Sequence, residues 1–214
     1  VRTAQPPMVF TGQQLALIKK TVAADTNDDE FNLFMEVAKF RGLNPFLKQI
    51  YAVVYSKDDP KKRKMSIITG IDGFRIIASR CRDYRPDSEP PHFEIDEKKK
   101  SSENPEGIVK CVVRCFKLGP DNQWYAVAGE AYWDEYAPLK EDDEAFEWVD
   151  TGEKWPDSGK AKMTKRRKQG DFKRKPDGKW ATMPRVMLSK CAESICLRKG
   201  WPEDFSGVYV NEEM

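Results

Sequence analysis

The chain has 214 residues, 39% of them hydrophobic and 34% charged, with 37 Lys and Arg against 35 Asp and Glu. Eleven Phe, seven Tyr and six Trp supply the bulk of a sizeable core, so one domain over residues 1–214 is expected. The longest apolar runs fall far short of the ~18 residues of a membrane span and no signal peptide is visible, which points to a cytoplasmic protein with no membrane partner. Five cysteines without compact spacing, no CxxC and the single histidine His92 argue against a disulfide scaffold or a zinc site. Buried, reduced thiols are expected, with no metal and no cofactor.

The net charge of +2 hides a segregation. Residues 141–153 hold seven acids and no base, whereas residues 154–199 hold fifteen Lys or Arg against four Asp or Glu. A separated basic stretch is the usual mark of a polyanion binder. The acidic stretch has no such role, and a basic surface on a neighbouring subunit is its expected partner.

Along the chain, residues 1–10 read as a flexible lead-in. Thr11 and Gln14 have capping-box spacing for a short helix through Ile18. A second helix is predicted from Asp28 to Arg41, with Phe31, Phe34, Met35 and Ala38 on one face and Gly42 as its stop. Gln49–Ser56 and Met65–Thr69 read as a hairpin around the polar loop 57–64, where Lys61 to Lys64 are expected to be solvated. Asp72-Gly73 is predicted to turn the chain into a helix through Ala78. A proline-broken stretch, a strand at 92–95 and a structureless charged loop at 96–107 follow. Ile108–Leu118 and Gln123–Trp133 form a second predicted hairpin around Gly119-Pro120-Asp121-Asn122. A polar, basic insert at about 154–179 then precedes a helix starting at Pro184 and ending at Gly200. The fold class is α+β: antiparallel hairpins forming a small sheet, with flanking helices.

Nucleotide-driven chemistry finds no motif. Ser158-Gly159-Lys160 is followed by Ala161, which lacks the hydroxyl that would hold magnesium, and no glycine stands at the required distance upstream. With one histidine, hydrolase triads rest on a single residue, and no catalytic residue is assigned. A metal-dependent nuclease built on Asp96 and Glu97, or on Glu130, Asp134 and Glu135, is a further alternative.

One segment, Gly42-Leu43-Asn44-Pro45-Phe46-Leu47-Lys48, ends a helix, turns sharply and opens a strand. With Gly70-Ile71-Asp72-Gly73-Phe74 after it, then Trp180 before Pro184-Arg185-Val186-Met187-Leu188, Cys191-Ala192, Arg198 and Phe205-Ser206-Gly207-Val208-Tyr209, it resembles the RecT/Redβ family of phage recombinases. The similarity runs in order over roughly residues 28–210.

The resemblance implies single-stranded DNA binding and annealing to a complementary strand without ATP, in phage recombination and DNA repair, in a phage-infected or prophage-carrying bacterium. It implies a homo-oligomer, ring or helical filament, that holds single strand and annealed duplex in a basic groove by their backbones. It also implies contacts with a phage exonuclease and host single-strand-binding protein in members with a further C-terminal domain, which this chain is expected to lack or carry truncated. Lys48, Arg185, Lys190 and Arg198 are the phosphate-contact candidates on this pattern, with Arg75 beside the Asp72-Gly73 turn. Trp180 is a candidate to stack on a base, against the alternative of a core anchor. The basic insert with Lys165, Arg166, Arg167 and Lys173 is expected to form a flap over the groove. The competing functional reading is a single-strand protector that does not anneal.

Overall fold

The computed structural model describes residues 8–210, and the chain divides into two compact units. The first comprises Val1–His92, Cys111–Ala131 and Ser189–Met214; the second comprises Phe93–Lys110 and Tyr132–Leu188. Of the expected lead-in, residues 1–7 lie outside the described part, and residues 8–10 have no regular structure.

In the first unit, α1 (Gly12–Thr21) and α2 (Asp28–Arg41) both open on capping boxes, Thr11 with Gln14 and Asn27 with Glu30. Each box satisfies two amides that a helix start leaves without partners. The predicted face of α2 is the buried one: Phe31, Phe34, Met35 and Ala38. At its other end Arg80 donates from its two terminal nitrogens to the carbonyls of Arg41 (2.6 Å) and Gly42 (2.7 Å), supplying the donors the last turn lacks. β1 (Ile50–Tyr55) and β2 (Lys64–Thr69) pair antiparallel, with Ile50 opposite Thr69 and Tyr55 opposite Lys64. Arg63, expected to be solvated, is instead held by Glu30 (2.6 and 3.1 Å) and by the carbonyl of Asp25 (2.6 Å).

The next helix, α3 (Ile71–Ser79), starts earlier than predicted. Asp72 and Gly73 lie inside it, and Gly70 is its N-cap. Gly73 is there for closeness rather than for turning: a Cβ at this position would overlap the carbonyl oxygen of Gln49. β3 (Tyr84–Pro86), hidden in the proline-broken stretch, pairs antiparallel with β5 (Ile108–Leu118). β4 (His92–Ile95) and β6 (Trp124–Tyr132) also pair with β5, completing a four-stranded sheet.

The core of this unit joins Ile18, Phe34, Leu43, Ile50 and Phe74 to Leu197, Trp201 and Phe205 near the other end of the sequence. Phe74 and Phe205 stack with centroids 5.4 Å apart. The chain's last described residues close on the hairpin: Thr69 donates its amide to the carbonyl of Tyr209 (2.9 Å), with Val208 and Val210 buried.

In the second unit, the loop at 96–107 is ordered, contrary to expectation. It holds a 3-10 turn at Glu97–Lys99, and buried Asn104 bonds both the amide and the carbonyl of Ile108 (3.0 and 2.8 Å). A short α4 (Trp133–Tyr136) leads to β7 (Leu139–Glu141). The acidic and basic stretches, expected to be a subunit contact and a flap, then form an antiparallel hairpin of β8 (Phe146–Lys154) and β9 (Ala161–Arg167). β10 (Arg174–Pro176) pairs with β7, placing Arg174 opposite Glu141. The short α5 (Lys179–Thr182) precedes α6 (Pro184–Gly200), which supplies residues to both units, and α7 (Pro202–Phe205) follows in the first unit.

Candidate nucleic-acid interface

The two segments that carry the first part of the resemblance fold against each other. Asn44 accepts from the amide of Phe46 (2.9 Å), Gln49 accepts from the amide of Asn44 (2.7 Å), and the carbonyl of Gln49 accepts from Gly70 (3.0 Å). A 3-10 turn, Pro45–Leu47, ends at Lys48, whose φ of 53° is left-handed. Such a conformation is uncommon for a residue with a side chain and is worth a functional question. The assembly leaves Lys48 exposed, and among the described residues it has no ion-pair partner.

The other expected cations of this unit differ. Arg75 makes a two-pronged pair with Glu193 of α6, both bonds 2.8 Å, and stands 3.5 Å from Asp72. The bonds to Glu193 hold its guanidinium pKa above the ordinary value. Arg75 therefore fastens α3 to α6 before it can serve any ligand. Arg198 lies 5.9 Å from the ring centre of Tyr209. Lys190 is half-buried on α6 and, among the described residues, has no ion-pair partner.

In the second unit nearly every expected cation is matched to a carboxylate. Arg167 meets Glu141 (2.6 and 2.7 Å), Arg166 meets Glu147 (2.7 and 3.0 Å), Lys165 meets Asp143 (3.2 Å) and Lys162 meets Glu153 (2.9 Å). Lys175 meets Asp142 at 2.6 Å. The bonds from Arg167 and Lys175 hold Glu141 and Asp142 below the usual carboxylate range. Five of the seven acids expected to meet a neighbouring subunit, Glu141, Asp142, Asp143, Glu147 and Glu153, are thus paired within their own chain. The same pairing makes Lys165, Arg166 and Arg167 struts of an ordered hairpin. Arg185 likewise bonds Glu106 (2.6 Å) and lies 5.8 Å from the Phe93 ring centre. Lys173 alone of the insert's candidates is exposed without an ion-pair partner among the described residues.

Trp180 is 4% exposed and sits edge-on to Trp133 with centroids 5.7 Å apart. The Trp133 indole in turn donates to the carbonyl of Glu103 (3.1 Å). A buried ring has no free face to offer a base, so the core-anchor alternative is the one realised. Two of the carboxylates considered for a nuclease have other work: Asp96 caps the 3-10 turn by accepting from the amide of Lys98 (2.9 Å), and Glu97 pairs with Lys100 (2.7 Å). Among the described residues no three His, Cys, Asp or Glu gather as a metal site.

Sequence reading passed over the exposed aromatics. Trp148 (63% exposed) and Trp155 (55%) stand out from the hairpin, with Lys165 5.8 Å from the first ring centre and Lys162 5.1 Å from the second. Their signal was the alternation Phe146-x-Trp148 facing Lys165-x-Arg167 across the strands, which is readable only once the register is known. Arg85 is a similar case, its guanidinium 4.9 Å from the Phe116 ring and 4.8 Å from that of Trp124. Exposed aromatic faces beside cations are what unpaired bases stack on.

Exposed lysines and cation-flanked tryptophans on an α+β frame are features that suit a protein that holds nucleic acid. The sequence profile of the RecT family matches residues 8–214, and the chain belongs to that family. RecT-family membership makes it a single-strand DNA annealing protein of phage-type recombination. No curated protein and no solved structure matches the chain. Among the described residues no helix is long and apolar enough to cross a membrane.

Proposed function

We propose that both units act as one annealing domain that holds single-stranded DNA by its phosphates and pairs it with a complementary strand without ATP, as a homo-oligomer, breaking no covalent bond. The observation that carries this reading is the family match over nearly the whole chain. Annealing brings two polyanions together, and cations on the protein lower their repulsion and release counterions. Phosphate contact also explains tolerance of any sequence.

The contacts that support the reading best are Lys48, Lys190 and Lys173, whose ammonium groups are not committed to a carboxylate. Arg198 follows, with Arg75, Lys165, Arg166, Arg167 and Arg185 available only where phosphate displaces an acid. Trp148 replaces Trp180 as the stacking candidate. ATP independence is supported by Gly159-Lys160, which lie where the chain turns between β8 and β9 and not between a strand and a helix.

The deciding experiment follows pairing of two labelled complementary oligonucleotides by energy transfer, with and without ATP. Acceleration that ATP does not alter is expected. Slowed pairing would make the protein a protector, and magnesium-dependent shortening of the strands would make it a nuclease.

A further inference from the structure

Five cysteines are present, and all are free thiols. Two of them meet. Cys115 on β5 and Cys196 on α6, 3% and 1% exposed, bring their sulfurs to 2.9 Å. Cys196 also donates to the carbonyl of Val127 (3.1 Å), so the proton shared between the sulfurs is that of Cys115. The strand and helix behind the pair are in close register. A Cβ at Gly129 of β6 would overlap the carbonyl oxygen of Ala192 and the amide nitrogen of Cys196, so the backbones are as near as glycine allows.

A cavity of about 810 Å³ has both cysteines in its lining. Pro86, Pro90 and Pro91 line it together with Arg75, Arg114 and Glu193. Two thiols at this distance need to close by only about 1 Å to reach a disulfide bond length. Nothing in DNA binding uses them.

We propose that Cys115 and Cys196 form an oxidisable dithiol site that admits a low-molecular-weight disulfide through this cavity and closes a reversible bridge between β5 and α6. The inference stands independently of the DNA reading. One thiolate of the pair attacks a sulfur of the small disulfide, whose S–S bond breaks and whose other half leaves as a thiolate. The second protein thiol, deprotonated, attacks the protein sulfur of the mixed disulfide and expels the remaining half. The protein gives up two protons and two electrons, and the small disulfide is reduced to two thiols. Cys196 is the better first nucleophile, because the hydrogen bond from Cys115 lowers its pKa while the same bond and burial raise that of Cys115. The bridge would close a loop that holds β6 and most of the second unit, which restricts the unfolded chain strongly.

The test treats the whole chain with excess bis(2-hydroxyethyl) disulfide and reads intact mass, peptide linkage and melting temperature. Expected are loss of two hydrogens with no lasting adduct, a peptide joining Cys115 to Cys196, and a Tm higher by about 5 °C that a reductant reverses. Cys191→Ser is expected to leave this linkage intact, and Cys115→Ser to abolish it. No reaction, a persisting adduct on the unsubstituted chain, or linkage through Cys81, Cys111 or Cys191 would overturn the proposal.

Discussion

The turn that presents Lys48 and the hairpin of β8 and β9 were both marked by basic residues, and they use them in opposite ways. Around Lys48 one cation is held out by a scaffold of hydrogen bonds from Asn44, Gln49 and Gly70, with no acid among the described residues to answer it. In the hairpin a far richer set of cations is answered acid by acid, from Glu141 to Glu153. A run of like charge in a sequence is therefore not the same as charge available to a ligand. A phosphate approaching Arg166 would have to displace a carboxylate, whereas at Lys48 it would displace only water and counterions.

The largest effect expected is on stability. Trp180→Ala should cost about 3–4 kcal/mol by emptying the site against Trp133, read as a loss in chemical denaturation, with DNA affinity falling only as far as the folded fraction does. Unchanged stability with lost affinity would return Trp180 to the interface. Gly73→Ala comes next, at about 2 kcal/mol or more, because the added carbon meets the Gln49 carbonyl and the scaffold under Lys48 has to shift.

Lys48→Ala should leave stability alone, weaken binding several-fold on every sequence, and reduce the slope of affinity against salt by about one. Glu147→Gln should do the reverse in the hairpin: freed of its partner, Arg166 becomes available and affinity for single strands rises modestly in a titration at low salt. A fall would mean that the hairpin binds only when its struts are intact.

The smallest effect is that of acid. Glu141 and Asp142 have folded pKa values below their unfolded ones, so their contribution is complete above the ordinary carboxylate range and disappears as pH falls through the lowered values. Loosening of the hairpin, followed by the fluorescence of exposed Trp148 and Trp155, is expected only below pH ~4.

Where packing writes a period into the chain, the fold was legible. The caps at Thr11 and the face of α2 are local patterns, and so are the apolar strands that flank Gly119-Pro120-Asp121-Asn122. The hairpin of β8 and β9 was not, because its outward residues are charged on both strands and cross-strand ion pairs bind residues some twenty positions apart. Gly73 misled for a related reason: Asp-Gly is turn chemistry by itself, but here the glycine answers a carbonyl in another element. Among the candidates, Lys48 was marked by its motif and Trp148 was passed over, since exposure of an aromatic is a property of the folded hairpin alone.

The contact of Tyr209 with Thr69 has a consequence for handling the protein. With the segment at Val208–Val210 in place Thr69 is 3% exposed and its amide is answered by the Tyr209 carbonyl; removing the segment leaves that donor without its protein partner. Such a truncation would bare the rim of β2 beside the apolar surface that Val208 and Val210 had covered. That rim is a template onto which a strand of another molecule can zip, and shortened preparations should clump through it.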